Sequence, residues 1–313
     1  MAAGGGGWPA SPQVPPARAD RLKRLAAIAA VGVALVLIAG KATAWVATGS
    51  VALLSTLVDS LLDLAASTLN LIAIRQAAVP ADPEHRFGHG KAEPLAGLGQ
   101  AAFVGGSAAF LLFQAGERLI HPEPVENTAA GLIVMAGSIV LTLALVMFQR
   151  WVVRRTQSVA IGADRLHYTS DLLVNAGVIV ALLATAKFGW LWVDPAVAIA
   201  IGLYILVSAG RILGASLDLL MDRELPEADR QRIRDIVGAH PGVRSMHDLR
   251  TRSSGTRTFI QLHVELDPDL TLRAAHAIAD DVMQRIEAAF PEADVLIHED
   301  PFGIAERRPD VDD

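Results

Sequence analysis

Between Ser50 and Gln76 the chain reads SVALLSTLVDSLLDLAASTLNLIAIRQ, an apolar run with Asp59 and Asp63 in its middle. The run is long enough to cross a bilayer as one helix, since a span needs ~20 such residues. Each carboxylate at the centre of such a helix costs roughly 2.5–3.5 kcal/mol on an insertion scale, and ionisable groups at that depth serve function by default. The i, i+4 spacing stacks both on one helical face. Two like charges that close repel and share a proton unless something positive lies near them.

A second stretch matches the first. In ADRLHYTSDLLVNAGVIVALLA, from Ala163 to Ala184, His167 and Asp171 repeat the i, i+4 spacing at the start of another apolar run. Asp59, Asp63, His167 and Asp171 together make a four-ligand oxygen and nitrogen set from two helices. Such a set suits a divalent metal in tetrahedral geometry.

Six runs of bilayer length are present: Leu25–Val46, Ser50–Gln76, Pro94–Ile120, Thr128–Phe148, Ser158–Phe188 and Pro195–Leu220. With 52% hydrophobic and 19% charged residues the chain is too apolar for a soluble protein of its length. Residues 47–50 make the first two runs a tight hairpin. The fifth begins polar, with Asp164, Arg165 and His167, which predicts a start in the aqueous phase or beside a wet cavity. Gly97, Gly99, Gly105, Gly106 and Ser107 mark the third as a close-packing helix. Arg21, Lys23 and Arg24, then Arg75, Arg86 and Lys91, then Arg150, Arg154 and Arg155 lie on one side. The opposite connections, including His121-Pro122-Glu123-Pro124-Val125-Glu126, carry little positive charge. By the positive-inside rule both termini are cytoplasmic.

Residues 1–20 are rich in Gly and Pro without an apolar face, and predict disorder. Ala42-Thr43-Ala44 resembles a cleavage site, but Lys41 abuts it and further spans follow, so the first helix is read as uncleaved. Net charge of −6 disfavours nucleic acid as partner. The absence of Cys removes thiolate zinc sites, disulfides and iron–sulfur ligation, and leaves any metal to His, Asp and Glu.

From Asp222 the composition changes. Leu225–Ala239 reads as a helix, Val243–Arg252 and Thr256–Leu266 as strands around Ser253-Ser254-Gly255, Leu272–Phe290 as a helix and Asp294–His298 as a last strand. The fold class is therefore a membrane all-α domain of six helices followed by an α+β domain of order αββαβ. The division runs 1–20, 21–222, 223–304 and a tail at 305–313. In the second strand Ile260, Leu262 and Val264 face one way and His263 the other. His247 sits in the first strand, and His298 with Asp300 ends the third. These histidines are either solvated surface groups or, converging on one sheet with no thiol available, a second metal site. Asp82, His85 and His89, in the connection after the second span, either bind one cation or are surface groups.

Taken together, the two i, i+4 pairs on the second and fifth of six spans, the run HRFGHGKAE from His85 to Glu93, FQRWVVRRTQS from Phe148 to Ser158, HDLRTR from His247 to Arg252 and the αββαβ domain resemble the cation diffusion facilitator family, and within it the bacterial ferrous-iron and zinc efflux pumps. The likeness runs from Arg21 to Pro301. It implies a homodimer in the inner (plasma) membrane that exports divalent metal in exchange for protons by alternating access, a secondary transporter and not an enzyme. It implies a transport site at Asp59, Asp63, His167 and Asp171 and a loop site at Asp82, His85 and His89. It further implies metallochaperone-like cytoplasmic sites at His247, His263, His276, His298 and Asp300, and a hinge salt bridge between Lys91 and Asp222, with Arg252 nearby. The N-terminal extension departs from the family pattern, and no His-rich loop lies between spans four and five.

Carboxylate and imidazole ligands must shed protons to bind metal, and an imidazole of ordinary pKa near ~6.5 does so readily. His167 is the proton-coupling residue on this reading. The oxygen-rich set admits Zn²⁺, Fe²⁺, Cd²⁺ or Co²⁺ and disfavours Cu⁺. The metal is substrate and regulatory ligand, and no organic cofactor is called for. Two rival classes use the same ligands, an intramembrane metalloenzyme and a metal-sensing membrane receptor. The chain has no H-E-x-x-H and no P-loop motif.

Overall fold

Long apolar runs interrupted by few polar residues form helices, because only there does every backbone amide find a partner without water. The computed structural model describes residues 14–48, 51–120, 129–188, 190, 192–255, 257–291 and 293–304. It contains six long helices: α1 (Pro16–Thr48), α2 (Val51–Ala77), α3 (Ala92–Ile120), α4 (Ala129–Thr156), α5 (Val159–Phe188) and α6 (Val193–Leu220). Five of them are long and apolar enough to cross a membrane among the described residues; α5, whose first half carries Asp164, Arg165, His167 and Asp171, is not one of the five. The helix α1 starts at Pro16, inside the segment expected to be disordered, because Ala19, Leu22 and Ala26 already pack inward there. Residues 1–13, the tip of the first hairpin at 49–50, the acidic connection 121–128 and the tail 305–313 lie outside the described residues.

The helical unit, which runs to Leu217, is apolar outside and buries a set of polar residues among its apolar clusters. Phe110, Phe113, Val140, Met147 and Leu183 are exposed, whereas Ser67, Asn70, Gln100 and Gln149 are buried. Exposed apolar area on that scale marks a surface made for something other than water. Asp164 is at the heart of the buried polar set and is fully buried. It accepts hydrogen bonds from Gln149 Nε2 (2.6 Å), Gln100 Nε2 (3.0 Å) and Ser67 Oγ (3.2 Å). Tyr168 OH lies 3.0 Å from Ser67 Oγ and donates to the Ala30 carbonyl at 3.2 Å. Five helices, α1 to α5, are thereby tied at one level. This corrects the expectation that the fifth helix starts in the aqueous phase; the alternative, a cavity beside it, is met further along, where His167 and Asp171 line one. The Asp164 carboxylate is removed from water because amides and hydroxyls from three neighbours replace the lost hydration.

Lys23 is likewise not a surface charge: its Nζ meets Glu93 Oε2 at 2.7 Å, with both side chains buried. The small residues of α3 divide. A Cβ on Gly97 would lie 2.9 Å from Ser216 Oγ and 3.0 Å from Val159 Cγ1, and one on Gly105 3.7 Å from Ala209, but Gly99 and Gly106 face open space. Gly97→Val is therefore expected to cost about 1–3 kcal/mol by overpacking, read as a lowered Tm in detergent, with Gly99→Val unchanged as control.

The second unit, from Asp218 onward, contains α7 (Glu227–Gly238), β1 (Ser245–Ser254), β2 (Arg257–Leu266), α8 (Leu272–Ala289) and β3 (Ala293–Pro301). The order αββαβ is as the sequence predicts. Thr271 caps α8 by accepting from the Ala274 amide at 3.3 Å. The sheet has the order β1-β2-β3, antiparallel between β1 and β2 and parallel between β2 and β3. Gly255 turns the hairpin at φ 78°, a conformation open to a residue without Cβ. Ile260, Leu262 and Val264 of β2 bury against Ile233 and Val237 of α7 and Val282 and Ile286 of α8. The opposite face of the central strand carries Phe259 and then the polar Gln261, His263 and Glu265. The register aligns His247 with His263 and His263 with His298, so one imidazole from each strand falls in a row.

Candidate metal centre

Asp63 comes from α2 and both His167 and Asp171 from α5. The two helices set them face to face: His167 Nε2 stands 2.9 Å from Asp63 Oδ1 and 3.9 Å from Asp171 Oδ2. One ligand atom from each of the three residues lies within 4.8 Å of the others. They open onto a cavity of about 420 Å³ that Asp59 also lines. Asp59 stands outside the close group of three, one helical turn along α2. The expected set of four is therefore assembled as three converging groups and one at the cavity wall. An imidazole nitrogen at hydrogen-bond distance from a carboxylate shares a proton with it, and a divalent cation with ligand distances of ~2.0–2.2 Å competes for the same lone pairs. The arrangement can exchange a proton for a metal ion.

The loop residues also converge. Asp82 receives the His85 amide at 2.6 Å and the Glu84 amide at 2.9 Å, an Asx turn that holds its carboxylate. Those backbone donors, the His85 amide first, keep its pKa below the ordinary carboxylate value. His85 Nδ1 and His89 Nε2 then lie 3.3 and 3.4 Å from its two oxygens. Asp82, His85 and His89 are one group of potential ligands.

In the second unit two groups share His263: His247 with Asp248 and His263, and His263 with His298 and Asp300. Asp300 is the hub. Its carboxylate lies 2.8 Å from His263 Nδ1, 3.1 Å from His298 Nε2 and 3.5 Å from His247 Nε2. His247 is buried, which corrects its reading as a solvated surface group, and neither of its ring nitrogens has a hydrogen bond among the described residues. His276 does not join them. It lies on α8, largely exposed, 3.5 Å from Asp280 and 3.9 Å from Glu299.

The match to known proteins covers both units. Residues 27–221 match the cation efflux transmembrane domain and residues 225–302 the cation efflux protein cytoplasmic domain. This chain belongs to the cation efflux family. The cation-efflux pump FieF of Klebsiella pneumoniae is 50% identical over 284 residues, 91% of this chain and 94% of that one. The protein of the same name from Shewanella oneidensis is 50% identical over 281 residues, 90% and 95% of the two chains. Among solved structures, the zinc form of a putative zinc transporter, CzrB, is 31% identical, with a TM-score of 0.26, covering 28% of this chain and all of that one.

In this cation efflux protein three residues of interest were not singled out as site residues by the sequence. Asp248, at φ 50° in the irregularity between His247 and Arg250, turns its carboxylate toward the histidine row. Asp164 buries a carboxylate one turn before His167. Lys41, next to the cleavage-like triplet in sequence, lines the cavity onto which Asp63, His167 and Asp171 open. A single Lys within an otherwise apolar run was the available signal. Of the expected hinge residues, Lys91 precedes α3, while Asp222, at φ 56° just after α6, meets Arg252 Nη1 at 3.4 Å.

Proposed function

We propose that this cation efflux protein exports Zn²⁺ or Fe²⁺ from the cytoplasm of a bacterium in exchange for protons, by alternating access, through Asp59, Asp63, His167 and Asp171. The observation that carries the reading is the 2.9 Å approach of His167 Nε2 to Asp63 Oδ1 between two apolar helices. From the cytoplasmic side metal displaces the shared proton, and from the outer side protonation of the same groups weakens the site and frees the metal. The downhill proton then supplies the work, and no nucleotide is involved. Cd²⁺ and Co²⁺ fit the same oxygen and nitrogen ligands. The relatives are named as cation-efflux pumps, which supports transport over a metalloenzyme or a receptor.

The proposal includes a homodimer in the inner membrane with both termini cytoplasmic, a transport domain at 21–222 and a cytoplasmic domain at 223–304. It includes Lys91 and Asp222 as a salt bridge at the hinge between them. Asp82, His85 and His89 form the loop site, and His247, His263, His298 and Asp300 the cytoplasmic sites; His276 is retained only as an outlying ligand. Stopped-flow flux in proteoliposomes, run with zinc, iron, manganese and cadmium under an imposed pH gradient, tests the reading. Metal movement that ignores the gradient, or none at all, overturns it.

Cytoplasmic metal at His263 is proposed to regulate the rate. In His263→Ala the efflux rate is expected to follow saturation of the transport site alone, without the added activation by internal zinc, while low-zinc transport persists. An identical concentration dependence in wild type and variant removes this role.

A further inference from the structure

Lys41 sits on α1 in the metal cavity, a cation where a cation is to be bound. Its Nζ donates to Ser60 Oγ at 2.7 Å and to the Thr56 carbonyl at 3.1 Å. Thr56 and Ser60 are one turn apart on α2, as Asp59 and Asp63 are, so the ammonium is pinned beside the carboxylate ladder. Ser60 is buried, and Lys41 lines the same cavity as Asp59, Asp63, His167 and Asp171. It is close enough to interact electrostatically with Asp59, Asp63 and Asp171. No other Lys or Arg lines that cavity among the described residues.

We propose that Lys41 is a tethered countercharge of the transport site, which weakens the hold on metal so that it can be released. The inference rests on the transport reading above. Three carboxylates and one ammonium leave two negative charges, which a divalent cation cancels; without the ammonium the loaded site keeps one uncompensated negative charge. Lys41 also repels the dication at short range in a medium less screening than water, where a unit charge a few ångströms away shifts binding strongly. In the empty site it offsets part of the mutual repulsion of the carboxylates. Removing it deepens the well for metal and slows departure. Lys41 is a positioning and affinity-setting residue: its Nζ is engaged as a donor to α2, and an ammonium offers no lone pair to the ion.

The test is zinc flux in proteoliposomes at pH 8 with Lys41→Met, Lys41→Gln and Lys41→Arg. Both neutral variants are expected to lower the KM for zinc by about tenfold or more and to lower kcat with it. Lys41→Arg, which keeps the charge, stays near wild type in both. An unchanged or raised KM in a folded neutral variant overturns the proposal, as does equal damage in Lys41→Arg. Should neither neutral variant fold, as judged by monodispersity and circular dichroism, the ammonium is structural and the proposal fails. Failure of the transport reading is separate: wild type itself then moves no zinc.

Discussion

Zinc efflux by the His167→Ala protein falls to the leak of protein-free liposomes, a loss of at least about a hundredfold, whether or not a pH gradient is imposed. His167 faces both carboxylates of the close set, at 2.9 Å to Asp63 and 3.9 Å to Asp171. Removing it deletes the only nitrogen donor and leaves two acidic groups without the partner that shares their proton. Supporting residues outside the ligand shell already cost 10–100-fold when lost from metal sites, so a ligand costs more than about a hundredfold. The side chain is buried, so folding is checked alongside by monodispersity and by the circular dichroism of the helices. His167→Asp offers the sharper control. It restores an oxygen donor but not an imidazole, and so is expected to retain metal binding while losing proton coupling near neutral pH. Efflux by His167→Ala at the wild-type rate removes the site assignment.

Asp63→Asn abolishes zinc binding in the membrane domain, seen as at least about a hundredfold loss of affinity. The amide keeps the shape of the carboxylate and its hydrogen bond to His167 but removes one negative charge, so the folded state is little disturbed. Equilibrium binding is measured in the full chain with His85, His89, His247, His263 and His298 replaced by Ala, which leaves the membrane site as the one observed. Asp59→Asn is expected to do less, since Asp59 lies at the cavity wall outside the converging three. Equal losses in the two variants indicate that α2 rotates to bring Asp59 to the ion.

The contrast between Asp59 and Asp63 shows where sequence reasoning stops. Their i, i+4 spacing places both on one face of α2 whatever the helix packs against, and the same holds for His167 and Asp171 on α5. Which turn of α2 meets which turn of α5 depends on how far one helix slides along the other, and spacing within a helix is silent on that. The Asp164 node has the same character. A polar residue near the start of an apolar run reads as wet until Gln100, Gln149 and Ser67 arrive from three other helices to replace water. Lys41 was visible as a lone charge in an apolar helix, but its meaning lay in the neighbouring helix that holds it.

In the cytoplasmic unit the alternation of β2 placed Ile260, Leu262 and Val264 inward and His263 outward from sequence alone, because side chains alternate along any strand. The row formed by His247, His263 and His298 was decided by register, and Asp300 became its hub only through the parallel pairing of β3 with β2. His276 was left outside because α8 carries it away from that row. What the sequence determined by itself was everything that follows from local periodicity: six long helices, an αββαβ domain, and acids and imidazoles in pairs on given faces. The tertiary structure alone decided which faces meet, since helix rotation and strand register are set by packing across the whole chain and leave no mark at fixed spacing in the sequence.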